Sequence, residues 1–252
     1  MKISIIGSGN TATVLAKLLK QNGNTIHQVY GRNTAAVTNL AQALNAGIQP
    51  DLVSLDKTSD LYIIAVKDDA VAEVSDQLRL DDKIVVHTCG SISMNVLKNT
   101  SAKYGVLYPL QSLRKELNYL PAIPFLVDGS DEETKQVIFD LASTISGNVI
   151  LADDAQRLHY HLTAIIVSNF SNHLFTLAKQ YCDAHNTNFS LLLPLIEETV
   201  QRLHQYDPLK MQTGPAARGD EAVIQKHLQL LDDAPQLKNI YALMTQSIQQ
   251  SR

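Results

Sequence analysis

Before Asp51 the chain contains no acidic residue, and in all of its 252 residues it contains only two cysteines. Cys89 and Cys182 lie 93 residues apart, which makes neither a disulfide framework nor a metal pattern. His159 and His161, two apart, point to different faces of a helix, so no metal site is expected. A net charge of −4 excludes a general attraction to nucleic acid or to anionic membranes. The apolar run in the opening "MKISIIGSGN" is too short for a signal peptide, so a cytoplasmic, reducing setting is expected.

Charge is also missing from Leu158 to Ala178, 21 residues without Asp, Glu, Lys or Arg. That length could cross a bilayer. The segment nevertheless holds three histidines, Asn169, Asn172, Ser168 and Ser171, which would be costly in hydrocarbon. It reads as a central buried helix of a soluble protein, with no membrane partner.

What is present is a globular composition, 45% hydrophobic and 18% charged, enough for a substantial core. "KISII", "TIHQVY", "LYIIAV", "KIVVHT", "KYGVLYP", "IPFLVDG" and "NVILA" are β-rich runs separated by helix-length segments. Strands alternating with helices indicate βαβ units and a mainly parallel sheet, reaching about Ala152. Beyond it the β-branched runs stop. Helices are expected over Asp154–Cys182, Ser190–Tyr206, Asp220–Leu231 and about Leu237–Gln250, with Asp154, Ser190 and Asp220 as N-caps. The expected architecture is an α/β Rossmann-like nucleotide-binding domain over 1–153, followed by an all-α C-terminal domain over 154–252.

"IIGSGNTATVLAKLL" places Gly7-x-Gly9-x-x-Ala12 between the first strand and the first helix, with Ser8, Asn10 and Thr11 completing the loop. The first glycine permits a tight turn, the second lets backbone approach a pyrophosphate, and the small third residue lets helix and strand pack closely. The helix N-terminus adds unpaired N–H groups and a partial positive charge. The bland alternative is a structural turn in another α/β fold.

Here the missing acids acquire a meaning. Sites that take NAD use a carboxylate about 20 residues after the loop to hold the ribose. This chain has Gly31-Arg32-Asn33 there instead, and four basic residues (Lys2, Lys17, Lys20, Arg32) within its acid-free first 50. An arginine at the second strand's end can fork onto the 2′-phosphate of NADP. A charged hydrogen bond of this kind contributes about 1.5–3 kcal/mol. NADP is therefore the expected cofactor.

Ligands of open α/β sheets lie beyond the strands' carboxyl ends. Ala65 and Val66 of "AVKDDAV" are expected near the adenosine or its linkage. Thr88, Cys89 and Gly90 of "HTCGS" are expected near the nicotinamide ribose, and Tyr108, Pro109 and Gln111 of "YPLQSL" on the wall facing substrate.

In that order, "GSGNTAT", "AVKDDAV", "HTCGS", "YPLQSL", "VSNFSNHL" and "TGPAARGD" resemble a family that joins a Rossmann-like NADP oxidoreductase domain to a C-terminal domain of unknown function 2520. The wider superfamily includes pyrroline-5-carboxylate reductases, ketopantoate reductases and 3-hydroxyisobutyrate dehydrogenases. Lys67 and Cys89 stand where that family usually has proline and serine. The resemblance implies NADP binding and supplies no substrate.

With α-helical spacing, His161, Ile165, Ser168 and Asn172 fall on one line with Asn169 at its edge, a polar stripe on an apolar helix. In the related dehydrogenases a Lys and an Asn on the corresponding helix serve as acid/base and substrate-holding groups. No Lys lies between Arg157 and Lys179 here, so His161 is the expected proton donor, with Asn169 and Asn172 orienting substrate. Buried polar groups bonded to one another, or bridging a dimer, are an equal alternative. Arg218 in "TGPAARGD" faces either a substrate anion or a structural partner such as Glu197 or Glu198, and the resemblance favours the site. Three functions follow: an oxidoreductase acting on a small carbonyl, imine or alcohol; a non-catalytic NADP-binding regulator; and hydride exchange with a deazaflavin. By analogy with relatives, a homodimer through the helical domain is expected.

Overall fold

The computed structural model describes residues 1–251. Eight strands form one sheet in the order β3-β2-β1-β4-β5-β6-β7-β8. They are β1 (Lys2–Ile6), β2 (Thr25–Tyr30), β3 (Gly47–Ile48), β4 (Leu61–Ile64), β5 (Ile84–His87), β6 (Tyr104–Pro109), β7 (Phe125–Gly129) and β8 (Val149–Leu151). Pairing is parallel except between β6 and β7. The expected mainly parallel sheet is present, and β3, two residues long, is the strand whose sequence carries no run to announce it.

Both faces are covered, so the strands alternate between two cores. Ile3 and Ile5 of β1, with Leu61 and Ile63 of β4, pack against α1 (Asn10–Gln21) and α2 (Thr34–Leu44). Ile6, Tyr62 and Ile64 face the other way with Leu52, Leu55 and Val74. Ser4 breaks the pattern and is satisfied where it is buried, bonding Ser59 Oγ at 2.8 Å and accepting from Gln28 Nε2 at 2.7 Å. α3 (Val71–Asp76) and α4 (Glu132–Ile145) complete the helical cover.

The strands end at Leu151, as the composition shift indicates, and α5 (Asp154–Ala164) begins. Its cap is Asp153, not Asp154: the Asp153 side chain accepts from Gln156 N while Gln156 closes a capping box. Asp154 is thereby released to accept from Arg157 at 2.7 Å and from Met94 N at 3.2 Å. The expected single helix over Asp154–Cys182 is interrupted. Ile165–Phe170 is π-helical, and α6 (Ser171–Ala184) follows it.

Two compact units divide the chain, Met1–Ser168 and the residues from Asn169 onward. In the second unit α6 is followed by α7 (Leu193–Arg202), α8 (Pro215–Arg218), α9 (Glu221–Leu230) and α10 (Pro235–Gln250). Asp220 caps α9 as expected, accepting from Val223 N. Ser190 is not a cap: Asn188 starts a 3-10 turn there, and α7 opens at Leu193 with a proline in its first turn. Within the unit, Tyr181 Oη donates to Leu230 O, and His227 Nδ1 lies 2.9 Å from Tyr241 Oη.

The expected buried helix is largely uncovered. In α5 only Arg157 is buried, in α6 only Leu177 and Cys182, and Leu158, Leu162, Ile166, Val167 and Phe170 are exposed. Apolar composition states that a surface needs cover but not which chain supplies it. Among the described residues no helix is long and apolar enough to cross a membrane.

Candidate functional site

The strand order turns outward on either side of the β1–β4 boundary, leaving a crevice beyond the strands' carboxyl ends. A cavity of about 550 Å³ lies there, within the size range of small-molecule sites. Gly7, Ser8, Gly9, Asn10 and Thr11 line it from one side, and Gly31, Arg32 and Asn33 from the end of β2. Ala65 and Val66 line it from the end of β4.

Local structure explains why these residues turn as they do. Gly7 has φ +135°, and a Cβ there would collide with the Ala65 carbonyl oxygen. Ala12 lies outside the cavity, fully buried beneath the turn, which is the packing role its small size allows. Gly9 caps α1 without a side-chain hydrogen bond, the first turn of α1 holds no acid, and the space above Gly9 is open. The loop thus presents helix amides and a partial positive charge to free space, which fits a pyrophosphate. Arg32 is exposed at the rim, and no ion pair among the described residues engages it. Asn33 is partly committed, because its side chain caps α2 by accepting from Ala36 N. Asn10 Oδ1 accepts from Lys115 N at 3.4 Å.

Tyr30, Leu52, Lys67, Ala70, Glu73, Val74 and Gln77 complete the lining. Sequence reasoning passed over the last four, although positions 70, 73, 74 and 77 have the spacing of one helical face. That period could have marked α3 as the cavity's far wall.

Thr88, Cys89, Gly90, Tyr108 and Pro109 lie outside this lining, at the ends of β5 and β6. Thr88, Cys89 and Pro109 are buried. Burial pushes the Cys89 thiol well up, with the nearby Asp68 carboxylate adding to it, so the sulfur stays protonated and inert. Gly90 has a contact the sequence did not foretell: a Cβ there would lie 2.5 Å from His161 Nδ1. The same nitrogen is 2.9 Å from Tyr108 Oη, with the two rings edge to face. The first unit therefore brings Gly90, Tyr108 and His161 together.

Arg157, one turn before His161 on α5, is 1% exposed and donates to the Ile92 carbonyl and to Asp154. Its Nε and Nη1, and His87 Nε2, are buried without a hydrogen-bond partner among the described residues. His87 Nδ1 accepts from Cys89 N at 3.2 Å. Burial, and then the Arg157 charge, press the His87 pKa down to about 4.

Ser168 and Asn169 lie on the π-helical stretch, and Asn172 in the first turn of α6. The stripe expected from His161 to Asn172 assumed α-helical spacing throughout, and a π-helical segment breaks that spacing. The expected line is therefore not present as drawn. Ser168 is half-buried, while Asn169 and Asn172 are exposed. Arg218 is the exposed last residue of α8, a one-turn helix in what reads from sequence as a loop. Of its two expected structural partners, Glu198 is bound by Arg202 within α7 at 2.7 Å.

Residues 2–90 match the family model "NADP oxidoreductase coenzyme F420-dependent", and residues 123–248 match "Domain of unknown function (DUF2520)". A Bacteroides fragilis protein named "putative NADP oxidoreductase BF3122" is 39% identical, with 99% of this chain and 98% of that one covered at a TM-score of 0.92. An imine reductase from Myxococcus stipitatus, solved in complex with NADP+, shares the fold at 16% identity and a TM-score of 0.66, with 100% and 94% covered. A glycerol-3-phosphate dehydrogenase [NAD(P)+] of Staphylococcus epidermidis is 31% identical over 116 residues, which is 40% of this chain and 35% of that enzyme's length. The chain belongs to the family that joins an NADP oxidoreductase domain to the domain of unknown function DUF2520.

Proposed function

We propose that the protein is an NADP-dependent oxidoreductase acting on a small carbonyl, imine or alcohol. The observation that carries this reading is the cavity at the β1–β4 boundary, where an acid-free glycine loop and Arg32, engaged by no ion pair among the described residues, share one lining. Gly7 to Thr11 hold the pyrophosphate, with Ala12 packed beneath their turn, and Gly31, Arg32 and Asn33 hold the 2′-phosphate. Ala65 and Val66 lie along the adenosine side, and Thr88, Cys89, Gly90, Tyr108 and Pro109 towards the nicotinamide side. When bound, NADPH supplies hydride. His161 supplies the accompanying proton to the substrate heteroatom, Ser168, Asn169 and Asn172 orient that atom, and Arg218 receives an anionic substrate group. The imine reductase among the relatives of like fold supports an imine as one substrate class. The cytoplasm suits this chemistry, and both cysteines are free. Two copies pair through the helical domain.

Calorimetric titration tests the cofactor. NADPH is expected to bind at least tenfold more tightly than NADH, and Arg32→Ala to remove most of that margin, since one charged hydrogen bond contributes about 1.5–3 kcal/mol. Equal affinities in the native protein, or a margin untouched by the substitution, would overturn it.

A second reading is favoured by the absence of lysine between Arg157 and Lys179: a regulator that binds NADP without turnover. Tight NADPH binding with no oxidation across a panel of small oxo-acids, ketones and cyclic imines supports that reading against the first.

A further inference from the structure

Tyr108, the last residue but one of β6, is 9% exposed, and its Oη stands 2.9 Å from His161 Nδ1. The ring centroids are 5.9 Å apart at an interplanar angle of 72°, so the hydroxyl meets the imidazole edge where Nδ1 sits. Gly90 forms the other side of this contact. Any side chain there would occupy the position of the imidazole ring. A tyrosine, a histidine and a glycine from three separate segments thus converge on one ring nitrogen.

The chemistry of the pair is asymmetric. Burial, with Asp68 adding to it, pushes the Tyr108 phenol up to about 12, so it keeps its proton throughout the neutral range. Within the first unit the phenol's hydrogen-bond partner is Nδ1. If Nδ1 carried the proton of a neutral ring, the phenolic O–H would be left buried without an acceptor, a costly arrangement. If Nδ1 accepts from the phenol, both groups are satisfied and the ring proton stands on Nε2. A hydroxyl can also reverse its role. When the ring gains a second proton, Nδ1–H donates to the phenol oxygen, so the contact survives both charge states.

We propose that Tyr108 is the positioning partner of His161, holding Nδ1 through its hydroxyl so that Nε2 is the nitrogen that exchanges a proton, with Gly90 as the residue whose smallness permits the pair. This rests on the reading of His161 as proton donor. In a reduction, one hydride reaches the substrate carbon and one proton its heteroatom. Nε2–H of the neutral ring gives its proton to the heteroatom as Nδ1 takes the proton of the phenol 2.9 Å away, and the phenolate then regains one from solvent. Over the whole cycle Tyr108 ends as it began, protonated, and the ring returns to its Nε2–H form.

The tautomer of His161 tests this without any substrate. In 15N-labelled protein, two-bond 15N–1H correlation spectra at a pH where the ring is neutral are expected to show His161 as the Nε2–H form. His161→Gln provides the assignment. Tyr108→Phe is expected to lose that preference and to give a mixture of forms. Gly90→Ala, which keeps the phenol but forces the ring away, is expected to do the same. An Nδ1–H form in the native protein, or an unchanged Nε2–H form in both variants, would overturn the proposal. Failure of NADPH to bind would sink the oxidoreductase reading instead, and would leave the tautomer result to decide the pairing by itself.

Discussion

His87 is the residue whose behaviour diverges most from its place in the sequence. It ends β5, in the middle of the sheet between β4 and β6, and is fully buried. Its folded pKa near 4 lies below the usual histidine value of about 6.5. The unfolded chain therefore binds more protons than the folded one between those values. Stability is complete above about pH 6.5 and falls as pH drops towards 4. A gap of this size removes about 2 kcal/mol between pH 7 and pH 5. His87→Gln cannot titrate, so urea unfolding at the two pH values is expected to show a smaller loss for the variant by about that amount. Equal losses would show that another group carries the acid sensitivity. None of this was legible in "HTCGS". The string displays a polar strand end, and only the parallel pairing on both sides, together with Arg157 arriving from α5, makes its histidine dry and neutral. By contrast, the gathering of Gly7, Arg32 and their neighbours at one crevice was legible, because a turn, a helix start and a strand end are local features with local meanings.

At the scale of elements, the sheet was readable because its strands are short apolar runs spaced by helices. Three features were not. Gly47–Ile48 borrows its strand character from β2. Ile165–Phe170 looks α-helical by composition, and its π-helical winding spoils any face drawn across it. The start of α5 offers two adjacent aspartates, and sequence cannot say which caps. The structure divides their work: Asp153 closes the capping box, while Asp154 is the ion-pair partner of the buried Arg157. Different costs follow. Asp153→Ala forfeits a cap, about 1 kcal/mol. Asp154→Ala leaves a buried guanidinium without its carboxylate and loosens Met94, a cost expected to exceed the cap's. Denaturant titration of the two variants is expected to place Asp154→Ala as the less stable. The reverse order would mean that solvent reaches Arg157 and relieves its charge.

For the whole molecule, the unanswered surface lies on the helices. No side chain of α7 or α10 is buried, and Leu191 and Leu195 are 77% and 63% exposed. Ile196 and Val200 of α7, with its cap residues Leu192 and Leu203, follow one another at helical spacing. A ten-residue helix has little stability in water on its own and depends on packing of its apolar face. Exposed apolar surface of this extent marks an interaction site in a folded protein. A second copy is the proposed cover, because the same stripe on two chains is self-complementary, the condition for a twofold interface. Light scattering on the eluting protein is expected to give twice the mass of one chain. Leu195→Glu combined with Val200→Glu, which buries charge at such an interface, is expected to shift the mass towards one chain and to lower the melting temperature of the helical unit. A native protein that elutes as a single chain at micromolar concentration would refute the dimer and leave α7 needing a different partner.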